Sequence, residues 1–331
     1  MFLPHTYQVA LLFMIGSMFC WGSWANTMKL TPGYRFQLFY WDYVLGLLLS
    51  VVAYGATLGT MGTDGIPFLK DLAKAPMASI LYAMAGGAIF NIANLLLVAA
   101  IAIAGMAVAF PVGIGLALVV GALASYLVVP QGSPALLFGG LVLVIIAIVC
   151  DAMAYRAREG GRAVSTRGIV LSLICGVLMG SFYPLVSKAM TLPAAPGPYA
   201  TGFFFVSGIV LCAIPVNYGF MKKPVDGGAP VAMADYRKAS ARWHIAGMLG
   251  GAIWMAGATL NFVASRLNFV GPAVSYSIGQ GATMVSALWG VFIWREFART
   301  SSRVRALLIA MFFCFLAGLG AIAIAPLYPV R

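Results

Sequence analysis

Acidic side chains are scarce in this sequence. Only eight Asp and Glu stand among 331 residues, and charged residues of both signs make up 8%, against about a quarter in ordinary soluble domains. With 62% of residues hydrophobic and a mean hydropathy of +0.98, a water-soluble fold could not cover its own apolar surface. Histidine is nearly absent, with only His5 and His244. The five cysteines, Cys20, Cys150, Cys175, Cys212 and Cys314, fall in apolar stretches without CxxC or Cys/His spacing. That spacing excludes a zinc site or disulfide framework and leaves buried free thiols, so no metal or other cofactor is expected. Residues 1–7 lack the basic start of a cleavable signal peptide. The net charge of +12 sits in short loops between apolar runs, where it reads as a membrane-orientation signal and excludes a nucleic-acid face.

What the chain has in abundance is long apolar runs. Ten of them cover roughly residues 7–28, 36–59, 77–99, 104–128, 134–155, 168–189, 199–219, 243–265, 270–293 and 304–327, most long enough to cross a hydrocarbon core of about 30 Å. The short alternating segments of a β-barrel are missing. The predicted fold class is an all-α polytopic membrane protein with ten transmembrane helices. The longest connection, 220–242, is polar and basic and reads as a loop or short amphipathic piece. Of the twenty Lys and Arg, all but Lys70, Lys74, Lys188, Arg266 and Arg331 lie in loops after the first, fifth, seventh and ninth runs. In a cell (inner) membrane this bias places both termini on the non-cytoplasmic side.

The order of short motifs repeats across the chain. GGAIF at 86–90 returns as GGAIW at 250–254, AVAFPVGIG at 107–115 as AVSYSIGQG at 273–281, and Gly22-Ser23-Trp24 as Gly180-Ser181-Phe182. The spacing divides the chain into a first five-helix repeat, 1–160, and a second, 161–331. Five is odd, so the second repeat must cross the membrane in the opposite sense, the inverted arrangement of secondary transporters with a solute site near midplane. The glycine pairs Gly113/Gly115 and Gly279/Gly281 fall mid-segment, where they permit close packing or local unwinding.

Asp42 is the only carboxylate well inside an apolar run, which makes it a functional candidate. A buried acid with Lys29 or Arg35 as charge partner could exchange a proton as a cavity opens to each side. The competing reading is a structural ion pair. Asn26, Asn91, Asn94 and Gln280 are amides at membrane depth that must bond either another helix or a polar solute. Trp24, Tyr183, Trp254 and Tyr276 are placed to stack on a ring-shaped solute, although Trp and Tyr also mark membrane interfaces.

The ten-helix pattern with glycine-rich fourth and ninth runs resembles the drug/metabolite transporter superfamily. Within it, CWGSWANTMKLTPGYRFQLFYWDY at 20–43 resembles the ureide permease family, which is related to glucose and rhamnose porters. The resemblance implies a permease that imports a small neutral heterocycle, such as allantoin, uracil or xanthine, together with a proton. The long nucleotide-binding-like central loop of plant members has no counterpart here. A sugar importer is the second reading and an exporter of metabolites or drugs the third. An intramembrane enzyme is disfavoured, because Asp42 has only Asp151 as a second intramembrane acid and both histidines lie at segment ends. The sequence is silent on oligomeric state.

Overall fold

The computed structural model describes residues 1–104, 109–158, 165–225, 227–298 and 300–328, all of whose regular structure is helical. Ala107 and Val108 of the repeated motif, together with Arg162, Arg299 and Arg331 of the cation count, lie outside them. The helices are α1 (Tyr7–Ser23), α2 (Phe36–Ala56), α3 (Phe68–Lys74), α4 (Met77–Ala104), α5 (Gly115–Val128), α6 (Pro134–Arg158), α7 (Thr166–Ala189), α8 (Pro198–Lys222), α9 (Met233–Lys238), α10 (Ala241–Ser265), α11 (Pro272–Gly279), α12 (Ala282–Leu288) and α13 (Ser302–Ile324). Eight described helical stretches are long and apolar enough to cross a membrane, and Val112–Val128 is a shorter apolar helix.

Local sequence explains where these helices begin. Thr6, Ser165, Ser240 and Ser301 each accept a backbone N–H from the first turn of α1, α7, α10 and α13, a side-chain cap that satisfies an otherwise orphaned donor. Pro198 and Pro272 stand at the first helical position of α8 and α11, where a missing N–H costs nothing. Regular winding fails beside the two glycine pairs. A π turn occupies Phe110–Ile114 next to Gly115, and the run 270–293 is broken at Gln280–Gly281 between α11 and α12. The connection 220–242, read as a loop, contains the short helix α9.

The packing of the halves corresponds. α10 lies against α1 and α2, while α4 lies against α7 and α8; α5 packs on α7, and α11–α12 on α1. The remaining large contacts, α6 with α13, α2 with α8 and α5 with α11, join elements that occupy matching places in the two halves. The closest approaches correspond residue by residue. A Cβ on Gly46 would lie 2.1 Å from the Met248 carbonyl oxygen and one on Gly251 2.0 Å from that of Tyr43; the matching values are 2.1 Å for Gly208 on Met84 and 1.9 Å for Gly87 on Phe205. Gly22 and Gly180, from the repeated Gly-Ser-aromatic motif, meet the Ala282 and Ala117 carbonyls at 2.5 and 2.8 Å in the same sense. Inside a bilayer such backbone-to-backbone contact between small residues replaces the hydrophobic effect as the force holding helices together.

A candidate solute cavity and a buried acid

A cavity of about 240 Å³ opens between α1, α4, α7, α10 and the α11–α12 break. Its walls are mostly apolar, part aromatic and part aliphatic. Trp21 stacks on Trp254 with ring centroids 5.7 Å apart, and Phe90 approaches Trp254 at 4.3 Å; Trp24 and Phe182 add further rings, and Leu97, Val98, Ile101 and Ile114 an aliphatic side. Trp21 is fixed by donating its indole N–H to the Trp254 carbonyl at 3.3 Å. Among this apolar surface stand Asn94, Gln280, Thr283 and Ser286. Asn94 is 3% exposed, and its amide lies near the Tyr40 hydroxyl, but its nitrogen makes no well-aligned hydrogen bond. Gln280 reaches the cavity because the helix breaks there. Pockets for drug-sized ligands run from about 300 Å³ upward, so this volume suits a smaller molecule.

Of the eight side chains the sequence offered for solute contact, Trp24, Asn94, Trp254 and Gln280 share this cavity, and the other four lie off it. Asn91 is wholly buried, accepting the Tyr40 hydroxyl at 2.9 Å and donating to the Cys212 sulfur at 3.4 Å, so it ties α2, α4 and α8 together. Asn26 is bonded to the Ser23 carbonyl at 3.1 Å and to the Trp294 indole at 2.6 Å. Tyr183 and Tyr276 pack ring to ring at 4.8 Å towards the end that carries the termini. There Tyr183 donates to Asn261, whose amide donates onward to Ser17 at 3.1 Å and to the Ser275 carbonyl at 2.9 Å, while Tyr276 donates to the Ala117 carbonyl at 3.1 Å. All of these residues are fully buried; they form a satisfied polar layer between the cavity and that end.

Asp42 is 1% exposed and sits where α2 crosses α10; a Cβ on Gly247 would lie 2.5 Å from its own. Its partners are not the cations anticipated from sequence. Tyr34 donates to Oδ2 at 2.9 Å, Tyr236 to Oδ1 at 2.7 Å, and Nδ1 of His244 stands 2.9 and 3.0 Å from the two oxygens. Lys29 bonds Glu296 instead, at 2.8 Å, because the turn that follows α1 points it away from α2. Arg35 caps the start of α2 and lines a small pocket with Gln37 and Leu95. Burial and the bond to Asp42 push both the Tyr34 and Tyr236 phenols up, which keeps them donors. No member of this cluster lines the cavity, yet the next residue, Tyr43, packs its ring 4.9 Å from that of Trp24 in the cavity wall.

Sequence reasoning missed Tyr34, Tyr236 and His244 as a unit. Tyr34 lies in the singled-out stretch 20–43, and His244 could have been found as a polar residue facing a glycine-lined crossing; Tyr236, in a basic connection, carried no signal.

Comparison with known proteins agrees with this architecture. Ureide permease 1 of Arabidopsis thaliana is 23% identical over an alignment covering 93% of each chain, Ureide permease 2 is 22% identical over 96% of each, and Ureide permease 4 is 24% identical over 92% of this chain and 94% of its own. A solved structure described only as "Crystal structure of protein" superposes with a TM-score of 0.64 over 93% of this chain and 95% of its own at 16% identity, which establishes a shared fold. The ureide permease resemblance read from residues 20–43 thus extends over nearly the whole chain, and those relatives are named as permeases rather than enzymes. The model of the family described as "Sugar transport protein" matches residues 50–325, and the chain belongs to that family.

Proposed function

We propose that this protein imports a small, neutral, ring-shaped and amide-rich solute of the ureide or nucleobase kind, driven by a proton gradient. Family membership and several membrane-crossing helices make it a multi-pass transporter of a small solute; the solute class and the coupling are the finer reading. The observation that carries it is the buried Asn94 amide, whose nitrogen makes no well-aligned hydrogen bond, beside the aromatic rings of the cavity wall. A buried donor without an acceptor costs about 1–3 kcal/mol, and a ring carbonyl bound between Trp24, Trp254 and Phe90 would relieve that cost while its faces stack.

In this reading residues 1–160 and 161–331 are inverted repeats, supported by the matched packing and matched glycine contacts. The end bearing Lys29, Arg35 and the 220–242 connection faces the cytoplasm across the cell membrane, supported by its excess of Lys and Arg. The Asp42 cluster carries the proton, supported by its burial next to Tyr43 and hence to the cavity wall. Sugar import is the second reading, favoured by the family's description, since stacking and amides serve sugars too. Export of organic cations is disfavoured because no carboxylate lines the cavity among the described residues.

Proteoliposomes with an acid exterior and labelled allantoin, uracil or glucose test this. Accumulation of allantoin or uracil, abolished by a protonophore, is expected. Accumulation of glucose alone would replace the heterocycle by a sugar, and uptake indifferent to the gradient would remove proton coupling.

A further inference from the structure

The hydrogen-bond geometry around Asp42 says more than that a proton could bind there. Tyr34 and Tyr236 donate one bond to each oxygen, and Nδ1 of His244 sits between the two at 2.9 and 3.0 Å. Nδ1 of His244 thus lies within hydrogen-bond reach of both oxygens of a carboxyl group that has about four acceptor sites for these donors. Nε2 is the ring nitrogen that Asp42 does not engage, and it is the site left for a further proton. Imidazole is the side chain suited to exchanging a proton under physiological conditions, and the His244 side chain is 23% exposed where that of Asp42 is 1% exposed.

We propose that the coupling proton binds at Nε2 of His244 with Asp42 as its permanent counter-charge, and that its arrival holds α9 against the α2–α10 crossing. This rests on the proton-coupling reading above. With His244 neutral the cluster is a buried anion held by three hydrogen bonds; with His244 charged the cluster is neutral and its imidazole–carboxylate bond becomes an ion pair. Burial of net charge is what the closed crossing tolerates least, so proton loss favours release of Tyr236, and with it α9, into water. The groups facing the ring are Asp42 from α2, Tyr34 from the turn before it and Tyr236 from α9. The other charges on adjoining segments have other surroundings: Arg35 lines a small pocket with Gln37 and Leu95, Asp235, Arg237, Lys238, Arg242 and Lys223 are exposed, Lys222 lies over the Tyr218 ring, and Lys29 is bonded to Glu296.

The chain has two histidines, so His5→Asn leaves His244 as the sole imidazole in otherwise intact protein. In lipid nanodiscs with ¹⁵N-labelled histidine, Nδ1 should stay protonated from about pH 5 to 8 while Nε2 titrates. In proteoliposomes His244→Asn, which keeps a donor near the Nδ1 position, should lose gradient-driven uptake by about tenfold or more, and what remains should no longer vary with pH. Gradient-independent uptake by the unmodified protein would overturn the coupling reading and this inference together. Gradient-driven uptake with an Nε2 that never titrates, or with wild-type pH dependence kept in His244→Asn and lost in Asp42→Asn, overturns this inference alone. Should the Asn variant fail to fold, the ring signals of the His5→Asn protein still decide.

Discussion

Two helix crossings in this molecule share one backbone plan and differ in the chemistry placed on it. Where α2 crosses α10, Gly46 and Gly251 let the chains touch at the Met248 and Tyr43 carbonyls; where α8 crosses α4, Gly208 and Gly87 do the same at Met84 and Phe205. The first carries Asp42 and His244 in contact. The residues at the same offsets in the second, 162 and 164 positions away, are Phe204 and Ile80. The second crossing, which adds to its glycine contacts only the Asn91–Cys212 bond, shows that such a pair can be held without an acid and an imidazole. A buried charged pair is a weak source of stability and often a net cost, so the contrast between the crossings supports the proposed coupling role for the cluster at α2–α10.

That comparison breaks most directly at the glycines. Leu in place of Gly251 or of Gly87 drives a side chain into a carbonyl about 2 Å away, and overpacking of this kind costs about 3 kcal/mol or more. Both variants should fail to yield folded protein, seen as lost monodispersity and lost cooperative thermal unfolding in detergent. Survival of only one would mean that the crossings are not equivalent. Asp42→Asn comes next. It leaves three donors facing an amide, with an expected cost of about 2 kcal/mol once the partial exposure of His244 is allowed for, and gradient-driven uptake should fall by about tenfold or more. Phe204→Leu, at the corresponding place in the apolar crossing, should cost under about 1.5 kcal/mol and leave the pH response untouched. Equal losses in the two would remove the functional distinction between the crossings.

How much of this was legible in the sequence depends on the range of the interaction. Membrane class and most of the apolar runs are written in local composition, and among the described residues they reappear as eight helices long enough to cross a membrane and a shorter one; the repeat is written in motif order, and the matched glycine contacts support it. Gly279/Gly281 marked the break at Gln280 because a glycine pair weakens a helix wherever it sits. Asp42 was found because an acid in an apolar run is anomalous on its own. Its partners were not, since Tyr236 and His244 are brought to it across about 200 residues of chain and nothing local marks them. Lys29 and Arg35 were the natural guesses by proximity in sequence, and for Lys29 the turn after α1 defeats that proximity. The amides split for a similar reason: Asn91 and Asn94 share a helix face and both lie near Tyr40, yet Asn91 is bonded to Tyr40 and Cys212 while Asn94 also lines the cavity.

Asn94 also separates the cavity from the framework. Its amide nitrogen makes no well-aligned hydrogen bond within the protein, so Asn94→Leu, close in volume, should leave thermal stability equal or slightly higher. Solute binding should weaken, with the KM for uptake rising about five- to tenfold, the worth of one hydrogen bond of about 1–1.5 kcal/mol. Asn91→Leu should do the reverse, losing stability with KM little changed, because its bonds go to Tyr40 and Cys212. If both variants alter KM alike, the cavity is not where the solute sits.

The smallest effect is expected at Lys29, and it sharpens the comparison by removing one of the two cations that the sequence offered as partners for Asp42. Its ammonium lies 2.8 Å from Glu296 and over the Trp294 ring at 4.4 Å, with its side chain 43% exposed. Exposed pairs of this kind are worth about 0–1 kcal/mol and weaken with salt. Lys29→Ala should therefore shift thermal unfolding only slightly, less so at high ionic strength, and the pH dependence of uptake should match the unmodified protein. A pH profile displaced by Lys29→Ala would show that the cluster feels this cation after all, and the polar crossing would then extend beyond the four residues that touch one another.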